Sequence, residues 1–138
     1  MDGRESLRLL SQREVRDLAA LAERARDNLS QFSGRDVAFD ARIVQLLDEW
    51  IEDYLEEVPD PPVSVRLLWA SLLGEIFRRR HDGWWALRGG KLIVVCPTEG
   101  SGWHLAPVRE QVDRRIVFGM SESLTYFYNA TRIELRLE

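Results

Sequence analysis

The chain has 138 residues, of which 45% are hydrophobic and 30% charged, and 19 basic against 23 acidic residues give a net charge of −4. This length and composition are those of one globular domain with a sizeable core, and they argue against a disordered or membrane-spanning chain. The negative balance also argues against binding to double-stranded nucleic acid.

Cysteine and histidine counts limit the chemistry further. Cys96 is the only cysteine, so no intrachain disulfide and no thiolate zinc cluster can form. The two histidines, His81 and His104, show no metal-ligand spacing, and we expect neither a metal nor a cofactor. Residues 1–5 lack the apolar stretch of a signal peptide, and the aliphatic run 92–95 is too short to cross a bilayer. We therefore expect a cytoplasmic protein away from membranes.

Two helices are predicted in the first 57 residues. The first begins after the N-cap Ser11, which forms a capping box with Glu14, and its apolar residues follow at helical spacing. The second begins after Asp40 and runs to about Glu57. The proline-rich segment 59–62 ends it, since proline cannot continue a helix.

A third helix is predicted over about residues 64–80. It is apolar around most of its circumference, which is typical of a helix in the middle of a fold. Only a narrow polar stripe interrupts it, formed by Ser71, Glu75 and Arg78.

The hydrophobic period changes to two after Gly83, which predicts strands. Segments 84–87 and 92–95 form a hairpin around a Gly89-Gly90 turn. This register pairs Leu87 with Leu92, Trp85 with Val94, and Ala86 with Ile93. Residues 103–105 add a third strand.

The C-terminal third is predicted to return to helix. Pro107 suits the first turn of a fourth helix and Gly119 its end, and Ser121 is expected to cap a fifth helix. Residues 132–137 alternate in polarity. We predict a short strand there, although the same residues could prolong the fifth helix.

Helices, then strands, then helices indicate an α+β fold. We expect N-terminal helices, a small antiparallel sheet of three to four strands, and C-terminal helices packed on it. The whole chain, 1–138, is predicted to be one domain, with its core in residues 40–128 and the helix within 1–33 at its periphery.

Short motifs recur in a distinctive order between residues 65 and 128. They are Leu73-Gly74-Glu75, Gly83-Trp84, Pro107, Gly119, and Leu124 with Phe127-Tyr128. This order resembles small bacterial domains of unknown function that share a Leu-Gly-Glu helix, a strand tryptophan and a proline-started helix. The resemblance implies a fold and a bacterial source, but it implies no reaction.

Acidic residues are concentrated on one half of the second helix. Residues 40–60 hold eight acids and one arginine, so they carry −7 and the rest of the chain +3. The residues on the half of the helix opposite Ile43, Trp50 and Tyr54 are Asp48, Glu49, Glu52, Asp53, Glu56 and Glu57. This segregation predicts a docking face for a basic protein partner, and a solvated, solubilising face is the alternative. An apolar surface around Trp50 and Tyr54 is a second candidate for contact with another protein chain. The sequence also leaves a homo-oligomer open.

The sequence supports two further functional hypotheses. A small-molecule or hydrolytic pocket between the third helix and the sheet would use Glu75, Arg79, His81, Trp84 and His104. Single-stranded nucleic acid could instead bind through residues 78–80, which are three arginines. Cys96 precedes Pro97 at the end of an apolar strand, which favours a buried thiol over a nucleophile. We therefore predict a non-catalytic interaction or accessory module.

Overall fold

The computed structural model describes residues 6–137, which form five α-helices and a four-stranded antiparallel sheet. The predicted α+β class is confirmed. The helices are α1 (Gln12–Ser33), α2 (Arg42–Glu57), α3 (Val63–Arg80), α4 (Val108–Phe118) and α5 (Leu124–Leu137). The strands are β1 (Leu7–Leu9), β2 (Trp84–Arg88), β3 (Lys91–Pro97) and β4 (Trp103–Ala106), which lie in sequence order across the sheet.

Helix α1 starts at the predicted capping box. The Ser11 hydroxyl accepts from the Glu14 N–H at 3.2 Å, and the Glu14 carboxylate accepts from the Ser11 N–H at 2.9 Å. Gly34, at φ +78°, ends the helix in the left-handed conformation that favours glycine. The expectation of a peripheral α1 is wrong, because its apolar stripe lies in the same core as α3. The buried residues of that stripe are Val15, Leu18, Ala22, Ala25 and Leu29.

Helix α3 lies at the centre of the molecule, with every residue from 69 to 77 buried. Its middle is seated directly on β2, since a Cβ on Gly74 would lie 1.9 Å from the Trp85 ring. Two residues of the predicted polar stripe, Ser71 and Glu75, do not reach solvent, and Arg78 reaches it only in part. Ser71 donates to the Leu67 carbonyl at 2.7 Å, and Glu75 is fully buried among cationic partners.

The hairpin has the predicted register, and β4 extends it at the far edge. The sequence interpretation missed β1, which pairs Leu7 with Arg88 and Leu9 with Ala86. Three residues are too few to establish a period of two, so this strand left no pattern. Helices and the sheet share a core on one sheet face, formed by Trp85, Val94, Cys96 and Ala106. The other face carries a smaller cluster of Ala86, Ile93 and Val95, with Leu105 beside it.

Two C-terminal expectations are wrong. Residues 119–122 form a short 3-10 turn, and the cap of α5 is Ser123, whose hydroxyl accepts from the Tyr126 N–H at 3.0 Å. The predicted strand over 132–137 is the end of α5. Its buried residues explain this, because Leu124, Tyr128, Thr131 and Leu135 follow helical spacing.

Candidate functional site

The N-terminus of α5 is anchored to α2 by one buried carboxylate, Asp48. Its Oδ1 accepts from the Leu124 N–H at 3.0 Å, and its Oδ2 accepts from the Thr125 N–H at 2.8 Å and from the Thr125 hydroxyl at 2.6 Å. Oδ1 also accepts from Nε of Arg115 at 3.0 Å. Acceptors suit the unpaired N–H groups and positive potential of a helix start. Asp48 is only 2% exposed, so its expected place on an exposed docking face is wrong.

Arg115 of α4 ties the acidic helix to the core. It is fully buried, and its Nη2 donates to the Asp48 carbonyl at 3.1 Å and to the Glu52 carboxylate at 2.8 Å. The sequence interpretation missed this residue. The spacing of α4 indicated its burial, because Arg115 lies on the same helix face as Val108, Gln111 and Val112, the other buried residues of α4.

The other five acids of α2 remain exposed, as expected: Glu49, Glu52, Asp53, Glu56 and Glu57. Within residues 6–137, only Glu52 among these five has a cationic group within 4.0 Å. Glu49, Glu52 and Glu56 follow helical spacing and therefore line one side of α2. In this row Glu52 is paired with Arg115, whereas Glu49 and Glu56 have no cationic side chain of the described chain within 4.0 Å.

A groove of about 570 Å³ runs between this row and the start of α5. Glu49 and Glu52 stand on its α2 side, and Met120 and Tyr126 on the other. Met120 is 56% exposed and Tyr126 is 75% exposed. Val117 and Phe118, the last two residues of α4, are also exposed. Apolar side chains gathered at the surface beside charged ones are typical of interaction sites. This acidic groove combines both features.

The apolar surface expected around Trp50 and Tyr54 is largely used inside the protein. Both rings pack edge-on against the buried Trp69 of α3, with centroid distances of 6.0 and 5.2 Å. These aromatic contacts hold α2 on α3, so the free apolar surface next to the acids lies at Met120 and Tyr126 instead.

Glu75 does not line a pocket. Its carboxylate accepts from Arg78 at 2.6 and 2.8 Å, from Arg79 at 2.9 Å and from the Trp85 indole N–H at 2.9 Å. Burial raises the pKa of Glu75, but the hydrogen bonds from Arg78, Trp85 and Arg79 together outweigh it and leave the pKa below its ordinary value. A buried, paired carboxylate of this kind is an anchor for α3 and not a general acid.

The structure does not assemble the other members of the expected pocket. Only Glu75 and Arg79 meet. Trp84 lies on the opposite sheet face from Trp85 and donates its indole N–H to the Leu10 carbonyl at 3.2 Å. His104, on β4, lines a separate small cavity with Tyr126 and Glu134. The pocket hypothesis is therefore wrong, because α3 is packed flat on the sheet where the cavity would have to lie.

Cys96 and His104 are direct neighbours across β3 and β4. Burial raises the pKa of the Cys96 thiol to about 12, and the charge of Asp82 adds to the effect. A nucleophilic cysteine needs the opposite shift. Within residues 6–137, no three or more histidine, cysteine, aspartate or glutamate side chains are grouped to hold a metal ion.

His81 takes part in a different arrangement, at the end of α3. Its Nε2 lies 2.9 Å from the hydroxyl of Tyr128 on α5. The two side chains line a cleft of about 440 Å³, together with Arg80, Arg132 and Arg136. Of the three arginines of 78–80, only Arg80 reaches this cleft, since Arg78 and Arg79 are bound to Glu75.

Comparison of the chain with protein-family models, with curated proteins and with solved structures finds no match in any of the three. The resemblance of residues 65–128 to small bacterial domains of unknown function therefore stays a prediction. No helix in the described part of the chain is long and apolar enough to cross a bilayer.

Proposed function

We propose that this protein is a non-catalytic interaction module whose acidic groove binds a basic amphipathic helix of another protein. The observation that carries the proposal is the juxtaposition of exposed Met120 and Tyr126 with the exposed carboxylates of Glu49 and Glu52 along one groove. A helix with an apolar stripe and flanking lysines or arginines matches both sides of this groove.

Charge complementarity decides the chemistry of the partner. Glu56 prolongs the row formed by Glu49 and Glu52, and Asp53 and Glu57 flank it, all of them exposed. Like charges three and four residues apart on a helix repel one another, which costs a few tenths of a kcal/mol per pair. Basic side chains of a partner would relieve this repulsion. The apolar residues across the groove would supply contact area that a merely solubilising face does not need.

The test uses a synthetic 14-residue peptide of leucine and lysine with leucines at helical spacing, labelled for fluorescence anisotropy. The chain variant changes Glu49→Gln, Asp53→Asn and Glu56→Gln, and it keeps Glu52 because Glu52 pairs with the buried Arg115. A matched variant changes three exposed acids elsewhere: Asp17→Asn, Glu110→Gln and Glu134→Gln. Rim charges contribute roughly 0.2–1 kcal/mol each. We therefore expect about tenfold weaker binding for the groove variant and little change for the matched one.

A second pair of reagents separates groove binding from general attraction to cations. Tyr126→Ala should weaken binding without changing its salt dependence, because it removes apolar contact and no charge. A peptide of the same composition with scrambled leucine spacing should bind less tightly than the amphipathic one. Equal binding by the two peptides, or equal losses in the two triple variants, would overturn the proposal.

A further inference from the structure

The cleft between α3, β3 and α5 gathers three arginines from two helices. Arg80 is the last residue of α3, and Arg132 and Arg136 are one turn apart on α5. None of the three has a carboxylate within 4.0 Å among the residues the structure describes. Asp82 and Glu99 also line the cleft and offset part of the charge. Counting these five groups, the cleft keeps a net positive charge.

The charges of the three guanidinium groups all act on the His81 side chain in this cleft. Burial lowers the pKa of His81, and the charges of Arg80, Arg132 and Arg136 lower it further, while Asp82 acts in the opposite direction. His81 therefore favours its neutral form, and its hydrogen bond with the Tyr128 hydroxyl places two neutral polar groups on the cleft wall. This pair keeps one donor hydrogen for an anion without adding charge: the Tyr128 O–H where Nε2 donates to the hydroxyl, or the His81 Nδ1–H where the hydroxyl donates to Nε2.

Helix dipoles explain only part of this clustering. Arg80 and Arg136 lie in the last turns of α3 and α5, where cations are favourable. Arg132 lies a full turn earlier, with its guanidinium carbon 5.9 Å from the Tyr128 ring centre. The cleft is also held in shape, because the Glu99 N–H donates to the Leu135 carbonyl at 2.9 Å and fastens the β3–β4 loop to α5.

We propose that this cleft binds the phosphate group of a small ligand, either free phosphate or a phosphomonoester. Guanidinium groups suit phosphate because they donate several hydrogen bonds in a planar, charged arrangement. A volume of about 440 Å³ is within the range of small-molecule sites. Single-stranded nucleic acid fits less well, since it needs exposed rings on which bases stack. Of the two aromatic side chains that line this cleft, Tyr128 is only 2% exposed, and His81 is partly buried with its ring against that of Tyr128.

The test follows backbone and arginine Nε resonances by ¹H–¹⁵N NMR while inorganic phosphate is added, and then while glycerol phosphate is added. We expect shifts at His81, Thr98 and Arg132 that saturate. Tighter binding of glycerol phosphate would assign the cleft to a phosphomonoester, and tighter binding of inorganic phosphate would assign it to the free anion. Either result supports a phosphate site.

The variant Arg80→Gln/Arg136→Gln removes two exposed guanidinium groups, so the fold should be kept. Its matched control, Arg16→Gln/Arg24→Gln, removes two exposed arginines of α1. We expect at least tenfold weaker phosphate binding in the cleft variant and unchanged binding in the control. Equal affinity in both variants, or no saturable shift at the cleft, would overturn the proposal. Tighter binding of a ten-residue oligothymidylate that displaces phosphate would also overturn it, in favour of a nucleic acid backbone.

Discussion

Asp48 is a buried residue that holds three helices together. On the sequence it is one of six acids on a helix, but in the fold it fastens α2 to the start of α5 and to Arg115. Removing one partner of a buried ion pair costs about 3–5 kcal/mol, because the remaining charge stays buried without compensation. Typical domains have a free energy of unfolding of roughly 5–15 kcal/mol, so this loss is large.

We expect Asp48→Asn to lower the free energy of unfolding by about 3 kcal/mol. The NH2 group of the new amide would take the place of Oδ2 and face the Thr125 N–H, so two donors would point at each other. Arg115 would keep only Glu52 as a counter-charge. Urea unfolding followed by circular dichroism measures the effect. Asp53→Asn, an exposed change on the same helix, should stay within about 0.5 kcal/mol. Similar midpoints for the two variants would contradict the role given to Asp48.

The features that the sequence predicted depend on contacts between sequence neighbours, and those that it missed depend on contacts between distant residues. The capping box of Ser11 and the Gly89-Gly90 hairpin depend on neighbours in sequence, and both are confirmed. The burial of Asp48 depends on Arg115, 67 residues away. The cleft of Arg80, Arg132 and Arg136 likewise needs α5 to be helical to its end, whereas the alternation in residues 132–137 predicted a strand. Local patterns therefore predicted the elements but not the partners of their polar side chains.

At the scale of elements, α3 lies close against β2, with Gly74 directly on the Trp85 ring. Two effects compete at Gly74. Replacing glycine by alanine within a helix gains about 1 kcal/mol from backbone propensity. The new methyl group would overlap the Trp85 ring, since the nearest ring carbon lies 1.9 Å from its ideal position. Overpacking of this kind costs typically 1–3 kcal/mol, and Trp85 is held in place by its hydrogen bond to Glu75.

We expect Gly74→Ala to be destabilising by about 1–2 kcal/mol, because overlap outweighs propensity. Urea denaturation monitored by tryptophan fluorescence measures this, and near-ultraviolet circular dichroism should report a displaced Trp85. Gly102→Ala serves as the control, since its Cβ would meet only the Thr98 hydroxyl at an ordinary 3.6 Å. A Gly74→Ala protein as stable as the wild type would show that α3 can lift from the sheet at little cost.

At the scale of the whole molecule, charge is separated along α5. The acidic groove lies beside its first turns, and the arginine cleft lies beside its last ones. The net charge of −4 hides this separation, because the acidic segment 40–60 and the weakly basic remainder partly cancel. A basic helix and a phosphate ligand would therefore be attracted to opposite ends of the same helix, where neither blocks the other.

The rate at which the buried Cys96 reacts reports how often the sheet separates from the helices. It is the only thiol in the sequence, and it is fully buried on the sheet face that contacts the helices. Burial raises its pKa to about 12, which favours the unreactive thiol over the thiolate at pH 7. Alkylation by iodoacetamide should thus wait for the sheet to part from the helices. We expect labelling at least a thousandfold slower than that of the urea-unfolded chain, measured by mass spectrometry, and equal rates would contradict the burial. The neighbouring Pro97 lines the arginine cleft. Phosphate bound in that cleft should therefore slow the labelling of Cys96 further. The labelling rate would then report ligand binding through a residue that the ligand does not touch.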